Sequence, residues 1–387
     1  MQSVNTRPFQ PVAGPEHPQS AARRVLTSWV AGPAAMELKA RAASPNSLQD
    51  VWQKRQDMFE RHVAKLTFGQ LALWGLRQVS DRVMCLRAPL TRTMFPITTM
   101  RFHNDFARYE DFRAEQPPGR AANTFKLEAL GLLTPDHVLL DGMLVTYSGH
   151  TAQDSSWPTV MFVPPNGMVY EEMLVAACQF AEQYRAKVVL FNYRGIGKSL
   201  GQLRSIEDAV VDTTTCLAHA CSLGANVGVL GLSMGGGTGA AAVKRLHEAG
   251  VLQEGELSLF LAVHTFSSWF DVARGRSGLL WARTFFGLAR LLGMKDLATY
   301  EYLQNHRLAQ HTLIAEASME QVLPSSARLG HQRLPADHAQ VFWNAGARHA
   351  DLSFLTSDAS LSSQHQEPSL RAHLHRWRSE LDAVAAG

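Results

Sequence analysis

The sequence has 387 residues, of which 46% are hydrophobic, and its net charge is only +3. A chain of this size can bury a large core, and without a block of Lys or Arg it gives no support to nucleic-acid binding. No run of about 18 uncharged apolar residues occurs, so we expect no transmembrane helix. The cysteines lack the spacing of a metal site or a redox pair, so free buried thiols are expected and no metal or cofactor is implied: Cys85, Cys178, Cys216 and Cys221.

The first 20 residues have the composition of a disordered tail, with four prolines among Gln, Ser and Gly. They contain no apolar stretch typical of a cleaved secretory signal, which favours a cytoplasmic location. Export without a cleaved signal, as in injected bacterial effectors, is the alternative. Residues 21–135 are predicted to form a helical N-terminal extension, whose clearest helix begins at Ser47 and keeps apolar residues at helical spacing as far as Val79.

From about His137 onward, stretches typical of strands and of helices alternate. This alternation predicts an α/β domain over residues 136–387, with a mostly parallel sheet covered on both faces by helices. The predicted strands are His137–Tyr147 (a hairpin or a bent strand), Thr159–Val163, Lys187–Asn192, Val227–Leu230, Leu257–Val263, Thr312–Ala315 and Gln340–Asn344. The predicted helices are Tyr170–Arg185, Ile206–Cys221, Gly235–Glu248, Ser325–Arg328 and Ser369–Ala385.

The most informative motif is Gly-x-Ser-x-Gly at residues 231–235, which follows an apolar strand-like run and precedes a stretch of small residues. A serine hydroxyl is a weak nucleophile until a base takes its proton, and a sharp strand-to-helix turn presents Ser233 where a base can reach it. Gly231 and Gly235 leave room for so tight a turn, and the Met234 N–H points to where an oxyanion would form. Ser233 is therefore the predicted nucleophile; an ordinary glycine-rich turn is the alternative.

Four further stretches support this interpretation: Phe191–Ser199 with its Arg-Gly-x-Gly-x-Ser turn, His264–Val272, Gln321–Pro324 and Ala347–Leu352. With the Ser233 motif, they resemble the α/β-hydrolase superfamily over residues 135 to 387, and more closely its Bem46-type and related bacterial serine-hydrolase branches. The resemblance implies an α/β-hydrolase fold with a helical cap. It also implies the chain order Ser, acid, His.

For the base we choose His349, which follows the last predicted strand through a short turn. His264 fits worse because it precedes the expected cap. The acid has to accept a hydrogen bond from the imidazole, and Glu320 stands where the resemblance implies Asp. Glu316 is the alternative acid, and Asp351 is a third.

The second half of the oxyanion hole is expected in the loop after the strand Thr159–Val163, where the family commonly has His-Gly and this chain has Pro-Pro-Asn-Gly-Met. A backbone donor needs the shape of the loop more than a particular side chain. The N–H groups of Asn166, Gly167 and Met168 are therefore candidates, together with that of Met234.

The cap is expected at residues 268–310, because an insertion at this point covers the active site in this fold. A buried lid helix is the first expectation; a surface for an acyl chain or for transient contact with a membrane is the alternative. Arg283 and Arg290 interrupt its large apolar residues, which are Leu279, Leu280, Trp281, Phe285, Phe286, Leu288, Leu291, Leu292 and Met294.

These features predict a serine hydrolase that cleaves an ester, thioester or amide of a small-molecule or acyl substrate through an acyl-enzyme. Ser233 attacks, His349 transfers the proton and Glu320 orients His349. Transfer of the acyl group to another acceptor is one alternative. A catalytically degenerate fold acting as a binding or effector module is the other, because the family's loop His-Gly and acid Asp are both altered. The oligomeric state is not predicted.

Overall fold

The structure is a computed structural model in which the described residues are 107–114, 125–148, 157–224, 226–253, 255–291, 296–344, 347–355 and 369–386. The predicted tail, most of the predicted helical extension, and Leu292 and Met294 of the cap lie outside these residues.

One sheet of eight strands forms the centre of the molecule, in the order β1-β2-β4-β3-β5-β6-β7-β8. The β1–β2 and β2–β4 pairs are antiparallel and the remaining pairs are parallel. The strands are β1 (Phe125–Leu133), β2 (Leu139–Tyr147), β3 (Thr159–Val163), β4 (Lys187–Phe191), β5 (Val227–Leu232), β6 (Leu259–Val263), β7 (His311–Ala317) and β8 (Gln340–Asn344).

From β3 to β7, helices connect successive strands of the sheet. The helices are α1 (Ala107–Ala114), α2 (Tyr170–Tyr184), α3 (Ile206–Ser222), α4 (Met234–Glu248), α5 (Trp269–Ser277), α6 (Leu279–Leu291), α7 (Thr299–Asn305) and α8 (Leu370–Ala386). This strand order, with an antiparallel start and parallel strands beyond it, is that of the α/β-hydrolase fold, so the predicted fold class is confirmed. Helices α5, α6 and α7 lie between β6 and β7, where the cap was predicted.

The sheet has a separate apolar core on each face because successive side chains of a strand point to opposite sides. In β3, Met161 and Val163 join the core formed with α3 and α4. Val160 and Phe162 join the core on the other face, which includes Trp377 of α8 and residues of α2. Burial on both faces explains why the central strands are continuous apolar runs in the sequence.

The sheet starts earlier in the chain than the sequence predicted. Strand β1 begins at Phe125, inside the segment predicted as a helical extension, so the boundary at residue 136 is too late. Its sequence alternates poorly and contains helix formers such as Glu128 and Ala129, but pairing with β2 along its full length makes it a strand. The predicted helix Ser325–Arg328 is also wrong, since Ser325–Ala327 is a single 3-10 turn. The other predicted elements within the described residues match the observed ones or differ from them by at most two residues at either end.

The turn after β4 is fixed by a buried ion pair. The Arg194 guanidinium and backbone N–H both donate to the Asp212 carboxylate of α3, at 2.8 Å each, and Arg194 also donates to Asp136 at 2.7 Å. Asp212 is fully buried and Arg194 is 4% exposed. Beside it, the Tyr193 hydroxyl donates to the carbonyl of Pro164 at 3.2 Å, so this turn supports the loop that follows β3.

Candidate active site

Ser233 occupies a strained turn between β5 and α4. Its backbone has φ 53° and ψ −115°, a conformation that residues other than glycine rarely adopt. The Ser233 N–H donates to the carbonyl of Val263 on β6 at 2.8 Å, which helps to hold the turn in place. The side chain is mostly buried, with 7% exposure. The geometry is that of a nucleophile elbow.

The glycines around Ser233 are required by close backbone contacts. A Cβ at Gly231 would overlap Gly235 O and Gly236 Cα, so the strand could not turn directly into the helix. A Cβ at Gly235 would overlap the carbonyl of Val163 at the end of β3. These contacts supply a physical reason for the Gly-x-Ser-x-Gly spacing.

The structure brings Ser233, His349 and Glu320 together. His349 Nε2 lies 2.9 Å from Ser233 Oγ, and His349 Nδ1 lies 2.7 Å from Glu320 Oε2. The other carboxylate oxygen, Oε1, accepts from the N–H groups of Val322 at 2.6 Å and Leu323 at 2.9 Å. The three side chains therefore form one continuous chain of hydrogen bonds.

The charge on Glu320 determines the direction of these hydrogen bonds. Burial alone would raise the pKa of Glu320, but the hydrogen bond and charge of His349 and the two backbone N–H groups lower it to about 2. An ionised carboxylate only accepts, so His349 Nδ1 carries the proton and donates. In the neutral imidazole Nε2 then has a free lone pair, to which the Ser233 hydroxyl donates.

His264 is a further residue of the site, for which the sequence assigned no role. Its side chain is fully buried beside His349, and its Nδ1–H donates to the carbonyl of His349 at 2.7 Å. Burial lowers the pKa of His264 to about 4, so this ring stays neutral at physiological pH. The position of His264 directly after β6 was the available signal, because β6 is the strand next to β5.

The two alternative acids make other contacts. Glu316 lies within β7 and is fully buried; its Oε1 accepts from the N–H of Gly330 at 2.7 Å. Burial raises the pKa of Glu316 to about 7, and its Oε2 has no hydrogen-bond partner among the described residues. Asp351 accepts from the N–H of Ser353 at 2.8 Å.

The candidate oxyanion donors lie on both sides of the elbow. Met234 is the first residue of α4, so its N–H is among the four that have no acceptor within the helix. The loop with Asn166 and Gly167 starts beside the elbow, because Gly235 packs against the end of β3. The Gly167 N–H already donates to Pro165 O at 3.2 Å, which makes Gly167 the weaker candidate in this conformation.

The cap contains a half-open cavity of about 420 Å³ between α5, α6 and the start of α7. Its walls include the rings of Phe270, Phe286 and Tyr300 and the charged groups of Arg283, Asp296 and Glu301, but neither Ser233 nor His349. Burial raises the pKa of Asp296 to about 6. The cavity is therefore a feature of the cap and not the immediate surroundings of the serine.

The expectation of a buried lid helix is wrong for the outer face of α6. Ala282 and Phe286 are buried, whereas Leu280 is 81% exposed and Trp281 and Leu288 are about half exposed. A helix that is apolar around most of its circumference needs neighbours on every side, and the described neighbours cover only one. The side chain of Arg290 lies outside the described residues.

No helix in the described part of the chain is long and apolar enough to cross a membrane. Among the same residues, no group of three or more His, Cys, Asp or Glu side chains could hold a metal ion.

No protein-family model and no curated protein matches the sequence. Among solved structures, an esterase from Pyrococcus furiosus aligns with 69% of this chain and 96% of its own, with a TM-score of 0.44 and 14% identity. Carboxyl esterase 2 from the mycorrhizal fungus Tuber melanosporum aligns with 69% of this chain and 89% of its own, with a TM-score of 0.45 and 14% identity. A hyperthermophilic esterase from the archaeon Pyrobaculum calidifontis covers 81% of this chain and 98% of its own, with a TM-score of 0.44 and 13% identity. The fold assignment rests on the strand order, and the resemblance to the Bem46-type branch stays a prediction.

Proposed function

We propose that this chain, which has the α/β-hydrolase fold, is a serine hydrolase that cleaves esters, thioesters or amides through an acyl-enzyme. The observation that carries the proposal is the chain of hydrogen bonds from Ser233 through His349 to Glu320 at a strained strand-to-helix turn. Each of these residue types has a defined task in acyl transfer, and the distances lie within hydrogen-bonding range.

In the first half of the reaction, His349 Nε2 takes the hydroxyl proton as Ser233 Oγ attacks the substrate carbonyl carbon. The negative charge of Glu320 stabilises the imidazolium that forms, and its hydrogen bond keeps the ring oriented. The imidazolium then gives its proton to the leaving group as the tetrahedral intermediate collapses to the acyl-enzyme.

The tetrahedral oxyanion needs at least two fixed donors. We assign one to the N–H of Met234, where the start of α4 also contributes a partial positive charge. The second comes from the loop with Asn166, whose start is held against the elbow by Gly235 and against Tyr193 through the carbonyl of Pro164.

In the second half, a water molecule takes the place of the leaving group. His349 removes a proton from the water as the oxygen attacks the acyl carbon, and it returns that proton to Ser233 Oγ. The products are the acid and the free enzyme. His349 therefore accepts and releases one proton in each half-reaction.

Labelling with a fluorophosphonate probe tests this proposal directly, because the probe reacts only with an activated serine. We expect the wild-type chain to be labelled and Ser233→Ala to remain unlabelled. Ser258→Ala is the matched control: Ser258 is also buried but donates to Val227 O on β5, and its removal should leave the labelling intact. An unlabelled wild type, or labelling that survives in Ser233→Ala, would exclude the proposed mechanism.

Two alternative functions, a degenerate binding module and acyl transfer, have less support than hydrolysis. A degenerate binding module is disfavoured because Glu320, although longer than Asp, contacts His349 at 2.7 Å. Acyl transfer would use the same residues, so no described contact favours it over hydrolysis. Product analysis with an added alcohol or amine acceptor distinguishes the two reactions.

A further inference from the structure

The acid loop, defined here as residues 318–323, connects the end of β7 to the 3-10 turn at Ser325–Ala327. Glu320 lies in the middle of this loop. The loop lies outside the sheet and still has to place the Glu320 side chain accurately. Side chains that hold the backbone of this loop therefore affect the site without contacting a substrate.

Arg328 contacts this loop at two backbone positions. Its guanidinium donates to the carbonyl of Glu320 at 2.9 Å and to that of Ala317 at 3.4 Å. Ala317 is the last residue of β7, so the two carbonyls mark the start and the middle of the turn that carries the acid. The Arg328 side chain therefore fixes the distance between these two carbonyl groups.

The backbone around Arg328 is itself anchored to the region of the nucleophile. Arg328 forms a bridge with Phe266, the N–H of Leu329 donates to Thr265 O at 2.9 Å, and Ser267 N–H donates to Ala327 O at 2.7 Å. Thr265 in turn packs directly against Gly236 in the first turn of α4. The guanidinium therefore extends from a segment whose position relative to the elbow is fixed.

This anchoring matters because the acid is Glu and not Asp. The longer side chain reaches the same imidazole nitrogen only if its backbone stands back by about one C–C bond, roughly 1.5 Å. The hydrogen bond from Arg328 acts on the carbonyl of Glu320 itself, and the N–H groups of Val322 and Leu323 hold the other carboxylate oxygen within the same loop.

We propose that Arg328 is a positioning residue that sets the distance of the acid loop from His349 and thereby makes Glu the acid that fits at position 320. This inference rests on the proposed function. Arg328 acts through Glu320 and contacts neither Ser233 nor His349 in any described hydrogen bond.

The test is a double-mutant cycle between positions 328 and 320. Arg328→Met keeps the length of the side chain and removes its donors; we expect kcat to fall by about 10-fold or more with little change in KM, since no substrate contact is lost. Arg328→Lys keeps one donor and should recover part of the loss. Arg333→Met is the matched control, because Arg333 is exposed in the same segment and its guanidinium makes no described hydrogen bond.

Glu320→Asp should lower kcat strongly in the wild-type chain, where the loop is held back. In the Arg328→Met background the loop can advance, so the additional loss on Glu320→Asp should be several-fold smaller. If the two losses multiply independently, or if folded Arg328→Met keeps the wild-type kcat, the proposal is wrong. A merely structural role for Arg328 would lower stability without this coupling.

A second measurement does not depend on turnover. The Nδ1–H proton shared between His349 and Glu320 should give a far-downfield proton resonance that is present in the wild type and in Arg333→Met, lost in Arg328→Met and restored in part by Arg328→Lys. Retention of the resonance in Arg328→Met overturns the inference. If the Nδ1–H resonance responds to the Arg328 variants as expected but the fluorophosphonate probe never labels Ser233, only the proposed function is wrong. The failure of this inference and the failure of the proposed function can therefore be distinguished.

Discussion

The buried carboxyl of Glu316 should make the stability of the protein depend on pH between about 4.5 and 7. Burial raises the pKa of Glu316 from 4.5 to about 7 in the folded state. A carboxyl whose pKa is raised by folding holds its proton more tightly in the native chain than in the unfolded chain. The stabilisation is therefore complete below the unfolded pKa, and it is lost as the pH rises through the folded pKa.

The size of this change in stability follows from the shift in the pKa of Glu316. Each pKa unit corresponds to about 1.4 kcal/mol, so the free energy of unfolding should fall by roughly 3 kcal/mol across this window on account of Glu316 alone. Other acids with a raised pKa, such as the partly buried Asp296, titrate in the same range and add to the total for the wild type. Comparison with Glu316→Gln isolates the contribution of Glu316, because Gln does not titrate and its amide oxygen can still accept from the N–H of Gly330.

Urea unfolding of both proteins between pH 4.5 and 7.5 measures this difference. We expect the wild type to lose about 3 kcal/mol more than Glu316→Gln over the range. The free energy of unfolding of Glu316→Gln also differs from that of the wild type by an amount that does not depend on pH, because the NH2 group of Gln replaces an oxygen that has no described partner. Only the slopes of the free energy of unfolding against pH are therefore compared. Parallel curves for the two proteins would refute the reasoning. Activity should change little, because Glu316 makes no described hydrogen bond to His349.

The remaining predictions concern the site and the cap. Ser233→Ala and His349→Ala should each lower turnover by about 10³-fold or more while the free energy of unfolding changes little, and a folded Ser233→Ala with full activity would end the serine-hydrolase proposal. Glu320→Gln should lower kcat by about 10²-fold or more, because an amide cannot stabilise the imidazolium; unchanged kinetics would remove Glu320 as the acid. Gly235→Ala should cost about 3 kcal/mol or more in urea unfolding, since its Cβ overlaps the carbonyl at the end of β3, and wild-type stability would contradict the described elbow. If the cap cavity binds the acyl chain, medium-chain p-nitrophenyl esters should have a higher kcat/KM than the acetate and Phe286→Ala should reduce this difference; an unchanged chain-length profile would separate the cap cavity from acyl binding.

Most of the sheet could be predicted because its central strands are buried on both faces and appear as short apolar runs. The central strand Thr159–Val163 has the bounds expected from the sequence, and so does Gln340–Asn344 at one edge of the sheet. Strand β1, at the opposite edge, was missed because its local composition favours a helix, which pairing with β2 along its full length outweighs.

Some residues of the candidate site could also be predicted from the sequence, and others could not. A local motif predicts Ser233, whereas Glu320 was preferred to Glu316, four residues earlier near the same strand end, only through the family resemblance. The choice depends on the path of the acid loop, which directs Glu320 to His349 and leaves Glu316 bonded to Gly330. The position of His264 at the end of β6 can be read from the sequence, but its contact with His349 depends on how distant segments pack.

The buried pair of Arg194 and Asp212 has a consequence for the evolutionary history of this chain. Loss of Arg194 would leave the Asp212 charge uncompensated in the interior, at a cost of about 3 to 5 kcal/mol. Arg194 also contacts Asp136, so it keeps a charged partner when Asp212 is lost. A lineage can therefore lose Asp212 before Arg194 more easily than the reverse, and among homologous sequences Asp at position 212 should occur only together with Arg at position 194.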